Sequence, residues 1–131
     1  MHVKFRTAAA ALAALVALSC GGVTSPSQNK QDTFPGVLKP GQAIPYKVTV
    51  SNGGEFSIKI TQLQPNATAV VGTEWDFGDN CDVLVQRNPF STLNTPALAG
   101  AVLQKGNYCA LIYDSVGLAN DVTFTMVVSH P

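Results

Sequence analysis

The stretch Ile44-Pro45-Tyr46-Lys47-Val48-Thr49-Val50-Ser51-Asn52-Gly53-Gly54-Glu55-Phe56-Ser57-Ile58-Lys59-Ile60 decides the fold class. From Tyr46 the residues alternate apolar and polar. In an extended chain that alternation puts Tyr46, Val48 and Val50 on one face and Lys47 and Thr49 on the other. Phe56, Ile58 and Ile60 repeat the pattern after an interruption of Ser, Asn and Gly. Asn-Gly is the strongest short signal for a hairpin turn, because both residues accept positive φ. The reading is therefore two half-buried strands joined by a tight turn.

The same period recurs outward from this segment. Gln64-Pro65-Asn66 ends the second strand, and residues 68–77 read as a third that carries the only tryptophan, Trp75. Residues 81–86, 97–103, 107–114 and 121–128 add four more. In the last, Val122, Phe124, Met126 and Val128 alternate with polar or opposite-face neighbours. Beyond the first 19 residues no helical period persists over ten residues. Seven to eight short strands with Gly, Pro and Asn between them predict an all-β antiparallel sandwich.

Composition narrows the function. Eight basic residues balance eight acidic ones, so no cationic excess exists to neutralise phosphates and no nucleic-acid partner is expected. With 46% apolar and only 12% charged residues, the chain carries enough apolar surface to fold.

The N-terminus reads as an address. Lys4 and Arg6 precede an apolar run over residues 8–18, followed by Ser19 and Cys20. A basic start, a short apolar stretch and a small-residue end describe a secretory signal peptide over residues 1–19. Val16-Ala17-Leu18-Ser19-Cys20, followed by Gly21-Gly22, resembles the lipobox of bacterial lipoproteins. That resemblance implies a diacylglycerol thioether on Cys20 and attachment to a membrane of the bacterial cell envelope. Gly21 is not the aspartate tied to inner-membrane retention, so the outer membrane is the expected address. Cleavage as an ordinary signal after Ser19 is the alternative, and it releases a soluble periplasmic protein. Residues 20–33, rich in Gly, Ser, Pro, Gln and Asn, read as a flexible tether of about 20 Å r.m.s. span. The domain is expected over residues 34–131.

Three cysteines in an exported chain leave one odd thiol. Acylation of Cys20 accounts for it and leaves Cys81 and Cys109 to form a disulfide in an oxidising compartment. With Lys4 and Arg6 removed, the mature chain carries a net charge of −2. Mild acidity disfavours electrostatic docking on anionic lipid, so membrane association is expected through the lipid.

Several steps across residues 36–131 resemble the bacterial pre-peptidase C-terminal (PPC) domain. They are Leu38-Lys39-Pro40-Gly41-Gln42 before Tyr46, Gly53-Gly54 before Phe56, and Leu103-Gln104-Lys105-Gly106-Asn107-Tyr108 before Cys109. The resemblance implies a jelly-roll-like sandwich and an accessory or binding role, with calcium in some members. PPC domains usually follow a peptidase, whereas this one is expected to stand alone on its tether.

Catalytic inventory is thin. Removal of the signal leaves His130 as the one histidine, beside the C-terminal Pro131, and it is expected on an exposed tail. A serine or cysteine nucleophile needs a positioned base, so a non-catalytic binding or structural module is expected rather than an enzyme; the alternatives are a calcium-assisted carbohydrate- or protein-binding module released to the periplasm and an enzyme with an unrecognised site. Asp76, Asp79, Asn80 and Asp82 are the best candidates for calcium, which prefers oxygen ligands, although turns before strands are rich in Asp and Asn for local reasons. On residues 107–113 both faces are apolar. Tyr108, Ala110 and Ile112 are expected inward. Leu111 and Tyr113, with Val83 and Val85, are expected to form an outward patch for a protein or glycan partner. Folding of residues 87–96 over that patch is the competing expectation. Trp75 is expected in the core, with Phe34 and Phe90 as the other aromatics available for stacking.

Overall fold

The computed structural model describes residues 28–131. The signal segment, Cys20 and most of the expected tether lie outside the described residues. Eight strands follow in order: β1 (Lys30–Leu38), β2 (Ala43–Val50), β3 (Gly54–Gln64), β4 (Val71–Phe77), β5 (Val83–Ser91), β6 (Pro96–Val102), β7 (Gly106–Tyr113) and β8 (Val122–His130). They form two four-stranded antiparallel sheets, β1-β8-β3-β6 (sheet A) and β2-β7-β4-β5 (sheet B). Among the described residues no helix is long and apolar enough to cross a membrane.

The chain changes sheet at every connection except β4 to β5. This corrects the reading of Asn52-Gly53 as a hairpin. β2 pairs with β7, and β3 pairs with β8 and β6, so the turn carries the chain across the sandwich. Val48 and Val50 then bury against the same core as Phe56, Ile58 and Ile60, from opposite sheets. Two strands with one apolar face each reach that arrangement by facing each other, whereas pairing side by side leaves the shared face needing another cover.

β1 corrects the tether. Lys30–Leu38 pairs along its whole length with β8, from Lys30↔His130 to Leu38↔Val122, so residues 30–33 belong to the domain. Its inward positions are Asp32, Phe34, Gly36 and Leu38, which alternate with the exposed Gln31, Thr33, Pro35 and Val37. An edge strand buries one residue in two and tolerates proline, so its polar composition conceals it.

His130 is likewise no tail. It is 2% exposed, it closes β8, and its Nε2 lies 2.9 Å from Asp32 Oδ2. The contact ties the two ends of the domain together.

Trp75 fills the centre, as its strand setting suggests. Its ring stacks between Phe56 of sheet A at 4.7 Å and Tyr108 of its own sheet at 5.0 Å. Near the β1–β2 side Phe34 stacks on Tyr46 at 4.5 Å, while Phe90 is 71% exposed.

Candidate binding face

β7 supplies the frame. Tyr108, Ala110 and Ile112 point inward and are buried, which leaves Cys109, Leu111 and Tyr113 on the outer face of sheet B. The ladders then set their neighbours: Gly72 opposite Tyr113, Glu74 opposite Leu111 and Asp76 opposite Cys109. On the other side of β4, Asp76 faces Leu84 and Glu74 faces Arg87. The outer face thus collects Tyr113, Leu111, Glu74, Asp76, Arg87 and Leu84 from three strands.

Gly72 makes the layout possible. A Cβ there would collide with the Tyr113 ring, so only glycine lets that ring lie across β4. Arg87 Nε donates to Glu74 Oε2 at 2.6 Å, and the guanidinium carbon sits 5.9 Å from the Tyr113 ring centroid. The hydrogen bond and charge of Glu74 hold the Arg87 pKa above its usual value. Burial raises the Tyr113 phenol. Arg87 is thus held near the Tyr113 ring by the carboxylate fixed beside it, which orders this part of the outer face.

Asp76 lies at the bottom of this face. Burial, first, and the neighbouring Glu74, second, push its carboxyl from 3.8 to about 6, with Arg87 acting in the opposite direction. It is 3% exposed, and its Oδ1 has no hydrogen-bond partner.

The expected disulfide is present. Cys81 and Cys109 are bonded with Cα atoms 5.4 Å apart, joining the β4–β5 turn to β7. Cys81 occupies the turn with φ of 56°.

The apolar patch is divided. Leu111 and Tyr113 face outward as expected, half-buried. Val83 pairs with Phe77, whose ring packs edge-on against Tyr108, so Val83 points to the inter-sheet side. Val83 and Val85 line a separate mouth of about 210 Å³ with Phe77, Ala101, Leu103 and Tyr108. Leu84 is the apolar residue β5 gives to the outer face, 52% exposed. Nor do residues 87–96 close over the patch as a loop. Up to Ser91 they continue β5, and Arg87 covers part of Tyr113 as a strand residue.

The acidic turn is spread out. Asp76 is on β4, Asp79 Oδ1 accepts from Asn107 Nδ2 at 2.5 Å, and Asn80 and Asp82 are exposed. Among the described residues no three His, Cys, Asp or Glu side chains converge to hold a metal.

Sequence reasoning missed Gly72, Glu74, Leu84 and Arg87. The spacing Gly72-x-Glu74-x-Asp76 on the strand carrying Trp75 was the available signal, since an inward Trp75 forces those three outward.

No family model matches the chain, and no curated protein matches it. Among solved structures it is similar to PliG of Aeromonas hydrophila, described as a periplasmic lysozyme inhibitor of g-type lysozyme. The two share 16% identity with a TM-score of 0.54, over 82% of this chain and 91% of that one. At that identity the likeness is one of fold: both are small β proteins of the same architecture.

Proposed function

We propose that this chain is a non-catalytic, lipid-anchored protein of a bacterial envelope that binds another protein through the outer face of sheet B. The observation that carries this reading is Arg87 held over Tyr113 by Glu74, with Leu84 and Leu111 alongside. Tyr and Arg dominate the energetics of protein interfaces because they combine large contact area with directional polar groups. The lipobox-like Cys20 supports the anchor, probed by the mass of the mature N-terminus. The sandwich is of the PPC-like kind read from residues 36–131.

A non-catalytic role is supported by the fate of the reactive groups. The buried His130 is engaged with Asp32, and both domain cysteines are oxidised, so neither an imidazole nor a thiol stands free among the described residues. The fold shared with PliG supports a protein as the ligand, and a g-type lysozyme is the first one to test. Titration of the mature protein into a g-type lysozyme, read by cell-wall lysis, is expected to show saturable inhibition. Arg87→Ala and Tyr113→Ala should each weaken it about tenfold or more. Undiminished lysis at saturating protein rules this partner out.

A further inference from the structure

The outer face of sheet B is laid out in rungs. On the first, Gly72 of β4 lies under the Tyr113 ring. On the second, Glu74 lies between Leu111 and Arg87, and on the third Asp76 lies between Cys109 and Leu84. Successive rungs on one face are about 7 Å apart, two residues along the strand. Arg87 therefore stands one rung from Tyr113 on one side and one rung from Asp76 on the other.

The groups around Asp76 differ in their freedom to move. Asp76 is buried with its Oδ1 unpartnered, and the Glu74 side chain is only 13% exposed. The Arg87 side chain is 52% exposed, with its Nε on Glu74. Glu74 from the same strand and Asp82 from the turn before β5 both oppose ionisation of Asp76. β7 contributes Cys109, which is in the disulfide; β2 contributes Lys47, opposite Cys109 and two strands, about 10 Å, from Asp76. Arg87 is thus the cation within reach. A buried carboxylate without a counter-charge is costly, so ionisation of Asp76 draws the mobile guanidinium toward it.

We infer that the charge of Asp76 sets the seat of Arg87: beside the Tyr113 ring while Asp76 is protonated, and over Asp76 once it is ionised. The structure holds the first seat, with Arg87 on Glu74 and 5.9 Å from the ring centroid. Burial and Glu74 put the change near pH 6, with the proton held below that and lost above. The consequence for a ligand rests on the reading of this face as a protein-binding surface. A partner that needs Arg87 and Tyr113 together binds more tightly in mild acid.

Magnetic resonance of the Arg87 side chain in the mature protein reads the seat without any partner. The titration runs from about pH 4.5 to about pH 7.5 with a calcium chelator present. Arg87 methylene protons should carry a ring-current shift from Tyr113 that is lost with a midpoint near pH 6. In Asp76→Asn the shift should persist throughout, and blue-shifted Trp75 emission verifies that this variant is folded. Shifts that do not titrate, or that titrate identically in Asp76→Asn, overturn the inference. Inhibition of a g-type lysozyme gives a second arm. Relative to Asp76→Asn, the parent protein should lose about tenfold in affinity between about pH 5 and about pH 7, following the protonated fraction. Equal losses in the two proteins contradict the consequence for binding. Absence of inhibition at both pH values removes lysozyme as the partner, and the Arg87 resonances then decide the inference alone.

Discussion

Asp76 on β4 faces Cys109 on β7 across the ladder, so a carboxyl group 3% exposed lies beside the Cys81–Cys109 disulfide. This places a proton-binding group under the face that carries Arg87 and Tyr113, with the covalent link at its edge.

The first prediction follows from the Asp76 carboxyl, raised from 3.8 to about 6 by burial and by Glu74. The folded protein holds this proton more tightly than the unfolded chain does. The stabilisation is complete below pH about 4 and is lost as pH rises through about 6. Denaturant unfolding should show about 1–3 kcal/mol lost across that window. Asp76→Asn should remove this slope and be the more stable protein at pH 8. A variant with the same slope as the parent would assign the dependence elsewhere.

Gly72→Ala puts a methyl group where the Tyr113 ring lies. Overpacking of this kind costs about 1–3 kcal/mol. Thermal unfolding should register that loss, and partner binding should fall with it because Arg87 loses the ring beneath it. An unchanged melting temperature would mean the ring moves freely off β4.

The disulfide spans 28 residues. Replacing both Cys81 and Cys109 by Ser should cost about 3.5 kcal/mol through the larger entropy of the open unfolded chain. Thiol labelling of native protein should find neither cysteine free, and labelling of both would contradict the link.

Trp75 is the only tryptophan and is fully buried between two aromatic rings. Its emission should be blue-shifted and resistant to acrylamide. Trp75→Ala should destabilise by about 3–5 kcal/mol. Red, readily quenched emission from native protein would place the ring outside the core.

How much of this was legible depends on what each residue responds to. Alternation reports which side of a strand meets the core, so Val48, Phe56, Trp75, Tyr108 and Phe124 were readable as core residues, and the sandwich with them. The partner of each strand was not readable, because a period of two is the same whichever neighbour supplies the hydrogen bonds; Asn52-Gly53 consequently looked like a hairpin. β1 was hidden because an edge strand can be made of Lys, Gln, Asp and Thr. His130 was misread because its position next to the terminus says nothing about Asp32, which lies 98 residues earlier. On the proposed binding face, Leu111 and Tyr113 were visible from β7 alone. Arg87 was not, since its role depends on a register shift in β5 that moves it opposite Glu74.

The most direct test of the central claim is photo-crosslinking in the intact envelope, with the photoreactive residue placed at Leu84 or Tyr113 and, as a control, at Thr123 on the outer face of sheet A. The account predicts a discrete adduct with one protein from positions 84 and 113 and none from 123. No adduct from either sheet B position, or the same adducts from all three, would contradict it.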